Sequence, residues 1–166
     1  VDSQESADVR AAALEPYKTG KASKLALHWC MLSLSYPIFA DIATLIGKIS
    51  HIQDEFTTAW VKEKLYESWG ERTTLDVPVK NILRTLVDFG TLCKVKTGVY
   101  QILDEDSIKI IVMTILTQKQ KAYYEISEIA STPQMFPFVF DVTHEWIYNA
   151  GCFTLTNFGG KAVLMS

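Results

Sequence analysis

Between Phe56 and Leu103 the spacing of caps, apolar residues and glycines leaves few choices of local fold. Thr57 or Thr58 offers a side-chain oxygen to the open amides of a helix start. Trp60, Val61, Leu65 and Trp69 recur at helical spacing, and Gly70 supplies the stop. Glu71–Leu75 is a turn. Asp76 is a good N-cap, and Pro78 is tolerated in a first turn because its missing N–H has no helical partner there. Val79, Ile82, Leu83, Leu86 and Val87 form one face of the next helix, which Gly90 ends. Two alternating stretches follow, Thr91–Val95 and Val99–Leu103, joined around Lys96-Thr97-Gly98, where Gly98 can take a positive φ.

The order helix, turn, helix, β-hairpin in TTAWVKEKLYESWG, LDVPVKNILRTLVDFG and TLCKVKTGVYQI resembles the winged helix-turn-helix superfamily. That resemblance implies that the second helix enters a DNA major groove while the wing touches the neighbouring backbone or minor groove. The pattern covers residues 56–103 and contains no invariant residue, so it speaks to fold more than to function. The Trp-rich front and the FPF segment near the end also resemble a family of uncharacterised bacterial proteins. Only that second resemblance implies a setting in a DNA-processing or phage-defence system.

The flanking sequence fills in an α+β chain, mainly α with small β-hairpins. Residues 1–20 are read as a linker with a helical turn through Val9–Leu14, ending in Pro16 and Gly20. Residues 21–103 are read as helical support plus winged-helix domain, and residues 104–166 as a helical and β extension packed on it. Ser23 caps a helix to about Leu34, with Leu25, Leu27, Trp29, Met31 and Leu32 mostly buried. Pro37 opens a second helix, with Ile38, Phe39, Ile42, Leu45, Ile46 and Ile49 at amphipathic spacing. Asp106 or Ser107 can cap a helix through Gln118, although the β-branched run IKIIVMTIL also suits a strand. Tyr123–Ala130 reads as a helix, MFPFVF as an apolar run broken by Pro137, and CFTLTNF-Gly159-Gly160-KAVLMS as a terminal β-hairpin.

Charge excludes a polybasic nucleic-acid binder, because the whole chain carries −3. The stretch Val77–Tyr100 nevertheless holds four basic residues against one acidic, a local +3 that leaves −6 for the remainder. Lys80 and Arg84 are four apart on one helix face, with Asn81 and Thr85 beside them. Arg and Asn are the side chains that read guanine and adenine edges by paired hydrogen bonds. Lys94 and Lys96 alternate to one side of the first wing strand. The expected DNA-binding set is therefore Lys80, Asn81, Arg84, Thr85, Lys94 and Lys96, with double-stranded DNA as partner. Lys62, Lys64 and Arg72 are offset by Glu63, Glu67 and Glu71. The competing reading is a protein-interaction scaffold or homodimer, motivated by the acidic total charge and the apolar tail.

Chemistry is sparse. His51 beside Asp54 and Glu55, and His144 beside Glu145, lack the convergent ligands of a metal or hydrolytic site. His28 lies in an apolar helix, where a satisfied core histidine is expected. Asp104-Glu105-Asp106 suits helix capping as well as a divalent ion. Gly159-Gly160-Lys161 lacks the spacing of a phosphate loop. Cys30, Cys93 and Cys152 are odd in number and widely spaced, which fits reduced thiols in a cytoplasmic protein. No catalytic or cofactor motif occurs, so a non-enzyme without cofactor or metal is expected. Between Lys24 and Lys48 lie 23 largely apolar residues, but His28, Pro37 and Asp41 interrupt them, and no membrane span is expected. The chain starts at Val1, which predicts a segment of a longer protein.

Overall fold

A computed structural model describes residues 4–53, 55–70, 73–92, 101–119 and 121–165. The helices are α1 (Gln4–Thr19), α2 (Lys24–Ser35), α3 (Pro37–Ile49), α4 (Thr58–Trp69), α5 (Asp76–Asp88), α6 (Glu105–Lys119), α7 (Ile126–Ala130) and α8 (His144–Ala150). The strands are β1 (Gln101–Ile102), β2 (Tyr124–Glu125), β3 (Phe138–Val139), β4 (Thr154–Phe158) and β5 (Lys161–Met165). The chain is thus mainly helical with a small antiparallel sheet, as an α+β reading anticipates. It divides into two compact units, one of residues 1–34, 102–132 and 139–166, the other of residues 35–101 and 133–138. This division interleaves the chain, so the stretches 21–103 and 104–166 each contribute to both units.

The first unit is built on α6. Ser107, Ile108, Ile110, Ile111, Val112, Thr114, Ile115 and Leu116 are all buried, so this helix is apolar nearly all round. That burial explains why IKIIVMTIL had no clear period, and a helix rather than a strand is what forms. Its cap is Asp104, not Asp106 or Ser107. The Asp104 Oδ1 accepts from the Ser107 amide at 2.8 Å, and its Oδ2 accepts from the Ser107 hydroxyl at 3.0 Å. The Ser23 amide, at the start of α2, donates to both Asp104 Oδ2 and Ser107 Oγ. One cap therefore joins two helix starts.

Within the stretch expected as a linker, Gln4–Thr19 form a helix. α1 runs as a helix through Pro16, buries Val9 and Ala13, and packs on α6. Pro16 has no N–H to donate to the carbonyl one turn back, and the helix stops within a turn of it. The helix closes in a Schellman turn, with Lys21 N–H to Pro16 C=O and Gly20 at φ 65°. On α2, Trp29 and Cys30 are buried, whereas His28 points to solvent, correcting its core assignment.

The terminal hairpin forms as expected, β4 antiparallel to β5, with β2 on the other side of β5. β2 takes the first residues of the segment read as a helix from Tyr123, so α7 starts only at Ile126. α8 was missed by the periodicity reading because seven residues barely make two turns. Thr143 caps it by accepting from the Trp146 amide at 3.1 Å.

The second unit packs α3 against α4, α5 and the 3₁₀ turn Pro133–Met135. Pro37 stands in the first turn of α3, and Phe39, Ile42, Ala43 and Ile46 are buried. Gly47 is required there. A Cβ at that position would lie 1.9 Å from the Pro133 carbonyl oxygen. The Thr57 side chain caps α4 by accepting from Trp60 N–H at 3.1 Å, and Gly70 ends the helix at φ 75°. The run Lys24–Lys48 breaks at Tyr36 into helices of 12 and 13 residues. Among the described residues no single helix is long and apolar enough to cross a membrane.

Candidate functional site

α5 is the helix on which the sequence concentrates polar readers. Asp76 is its first residue rather than its cap, because a 3₁₀ turn, Thr73–Leu75, leads directly into it. Val79 and Leu86 are buried, and Ile82 and Leu83 are half-buried, which fixes the opposite side of the helix outward. Gly90 ends the element in a second Schellman turn, with Thr91 N–H to Leu86 C=O at 3.0 Å and Gly90 N–H to Val87 C=O at 2.9 Å.

The outward stripe carries Val77, Lys80, Asn81, Arg84, Val87 and Asp88, all exposed. Val87 was placed on the core face by spacing, yet it is 43% exposed, and Val77 is 64% exposed. The buried residues of α5 are Val79 and Leu86, so its core-facing stripe stops short of Val87. Lys80, Asn81 and Arg84 thus share one face on successive turns. Thr85 is half-buried, and its hydroxyl donates to the Asn81 carbonyl at 3.0 Å, which commits its proton to the helix backbone. Lys94 and Lys96, with the whole segment 93–100 of the expected wing, lie outside the described residues.

The +3 counted over Val77–Tyr100 includes Lys94 and Lys96 and omits Asp76, so α5 taken alone is balanced differently. Asp76 and Asp88 bracket Lys80 and Arg84, so α5 by itself carries no net charge. The Arg84 Nε lies 3.9 Å from Asp88 Oδ2, with side chains 84% and 68% exposed. A pair this open and this long is worth at most about 1 kcal/mol, so it holds the guanidinium only weakly. Asp76 is engaged elsewhere. Its Oδ1 lies 2.6 Å from Lys62 Nζ and accepts from the Tyr66 hydroxyl at 3.1 Å. The Lys62 hydrogen bond, then that of Tyr66, holds the Asp76 carboxyl below its ordinary range, and the nearby Lys80 charge adds to this. Sequence reasoning set Lys62 against its neighbouring glutamates. Its partner instead sits across the turn, on the next helix, and no linear spacing signals that.

These contacts fix how α5 is held. Lys62 and Tyr66 join α4 to its first turn, while Trp69 Nε1 donates to Asp41 Oδ2 at 2.7 Å and joins α4 to α3. The α4–turn–α5 pair is thereby held together across the turn and tied to α3 through Trp69. Neither a family model, nor a curated protein, nor a solved structure matches this chain.

The other candidates stay apart. His51 and His144 are exposed, as are their neighbours Glu55 and Glu145, and Asp54 lies outside the described residues. Among the described residues no group of three or more His, Cys, Asp or Glu side chains converges. Cys30 is buried, and burial pushes its thiol up to about 12 against a smaller opposing effect of the Thr114 hydrogen bond. A thiol so shifted has almost no thiolate at neutral pH.

Proposed function

We propose that this chain is a DNA-binding module of the winged-helix kind, in which α5 is the recognition helix. The observation that carries the reading is the outward stripe of α5. Lys80, Asn81 and Arg84 stand exposed on one face of a helix braced by two others after a short turn. α5 has 13 residues, about 20 Å of helix, and the major groove admits a helix of that diameter. Lys80, with Lys94 and Lys96, contacts phosphates and sets the register. Arg84 and Asn81 reach base edges, Arg to guanine and Asn to adenine. Val77 and Val87 can touch thymine methyl groups at either end of the stripe. In this reading the chain is a cytoplasmic regulator or an accessory subunit of a DNA-processing or phage-defence system, without cofactor, metal or enzymatic activity.

Charge reversal tests the face. Lys80→Glu with Arg84→Glu should weaken duplex binding by more than about tenfold at moderate salt, because cationic contacts to phosphate become repulsions. Unchanged binding would remove this face from consideration.

The second reading is a protein-interaction scaffold. Its support is the exposure of large apolar side chains, Val77 and Val87 on α5 and Tyr148 at 87% elsewhere. A partner that co-purifies with the chain and is lost on Val77→Asp with Val87→Asp, with no duplex binding by either form, would favour it.

A further inference from the structure

We propose that two copies of this chain pair edge to edge through β4. Among the described residues the sheet order is β2-β5-β4, so β4 is a terminal strand, and all five of its residues are exposed. The hairpin to β5 is closed by Gly159 and Gly160, both at positive φ, 61° and 82°. Two such residues make a primed two-residue turn, in which the flanking pair, Phe158 and Lys161, is hydrogen-bonded. Antiparallel ladders alternate bonded and non-bonded pairs. Thr154, Thr156 and Phe158 therefore spend their backbone groups on β5. The N–H and C=O of Leu155 and Asn157 point to the outer edge.

An edge of this kind invites another strand unless it is blunted by a lysine, a proline or a bulge. β4 reads Thr-Leu-Thr-Asn-Phe and has none of these, and its pairing with β5 is regular over the whole strand. The occupant is a second copy because the strand is its own complement. With a two-fold axis at Thr156, Leu155 of one copy stands opposite Asn157 of the other. Each such pair exchanges both of its outward backbone hydrogen bonds. Thr154 then faces Phe158, and Thr156 faces Thr156, β-branched and aromatic pairings that favour an antiparallel ladder. No charged side chain meets a like one. The contact is isologous and closes on itself, giving the continuous order β2-β5-β4-β4-β5-β2 rather than a fibre.

A strand pair this short buries little area, so the dimer is weak and concentration-dependent. Sedimentation velocity should show a dimer fraction that rises from micromolar to millimolar chain. Thr156→Lys and Thr156→Glu each place like charges opposite one another and should sediment as monomers. An equimolar mixture of the two should recover dimer, and added salt should weaken that recovery. Thr156→Cys with Cys152→Ser should cross-link under mild oxidation, reading the register even where a charged variant folds poorly. A wild-type chain that stays monomeric at all concentrations overturns the proposal, as does a dimer that survives in both charged variants, or a mixture that stays monomeric.

Discussion

Replacing Gly47 by alanine tests the packing that supports α5 through α3. An ideal Cβ there lies 1.9 Å from the Pro133 carbonyl oxygen, 2.7 Å from its carbonyl carbon and 3.0 Å from its Cα. A carbon–oxygen contact is comfortable at about 3.3 Å, so one backbone must move by more than about 1 Å. Neither partner is a side chain that could change rotamer. Ile46, Phe39 and Met135 around the contact are at most 2% exposed, which leaves no slack nearby. Overpacking of a rigid site costs roughly 3 kcal/mol. Alanine in a helix interior returns about 1 kcal/mol of that through its higher propensity. The net loss is about 2 kcal/mol. With a urea dependence of about 2 kcal/mol per molar, the unfolding midpoint should fall by roughly 1 M. Equilibrium unfolding read by tryptophan fluorescence measures it, since Trp60 and Trp69 lie in the same unit as Gly47. Asn81→Ala, on an exposed position of α5, is the control and should stay within about 0.5 kcal/mol. A midpoint for Gly47→Ala at or above wild type would refute the close approach of α3 to Pro133.

Asp76 is held below the ordinary carboxylate range, so the folded chain takes up its proton less readily than the unfolded chain. Its contribution is present above the ordinary carboxylate range and fades as pH falls through it; the urea midpoints of wild type and Asp76→Asn should differ at neutral pH and converge on acidification. Thiol labelling followed by peptide mass mapping should find Cys152 modified in the native chain and Cys30 modified only after denaturation, because Cys30 is buried with its thiol near 12. Asp88→Asn removes the carboxylate beside Arg84 and should tighten duplex binding, read by fluorescence anisotropy at low salt.

Much of the second unit was legible. Pro37, Thr57, Gly70 and Gly90 each act through local backbone chemistry, and each sits where local rules put it. The terminal hairpin was legible for the same reason, since alternation and a Gly-Gly turn are both local. The rest depends on contacts distant in sequence. α1 is stabilised by burying Val9 and Ala13 against α6, which neither residue advertises in its own segment. α6 is apolar on most sides, so its period is blurred by its own burial. The Lys62–Asp76 pair spans a turn, and no linear spacing brings those two charges together. The shared exposed face of Lys80, Asn81 and Arg84 was legible from spacing alone. The exposure of Val87 was not, because spacing cannot tell how wide the core beneath a helix is.

The central claim rests on α5 meeting the phosphate backbone, and the salt dependence of duplex binding tests it most directly. Each neutralised phosphate contributes about −0.9 to the slope of log affinity against log salt. Contacts from Lys80, Lys94 and Lys96, with Arg84 in the groove, predict a slope near −3, reduced by about one for Lys80→Ala. A slope near zero, or one that Lys80→Ala leaves unchanged, would contradict the account.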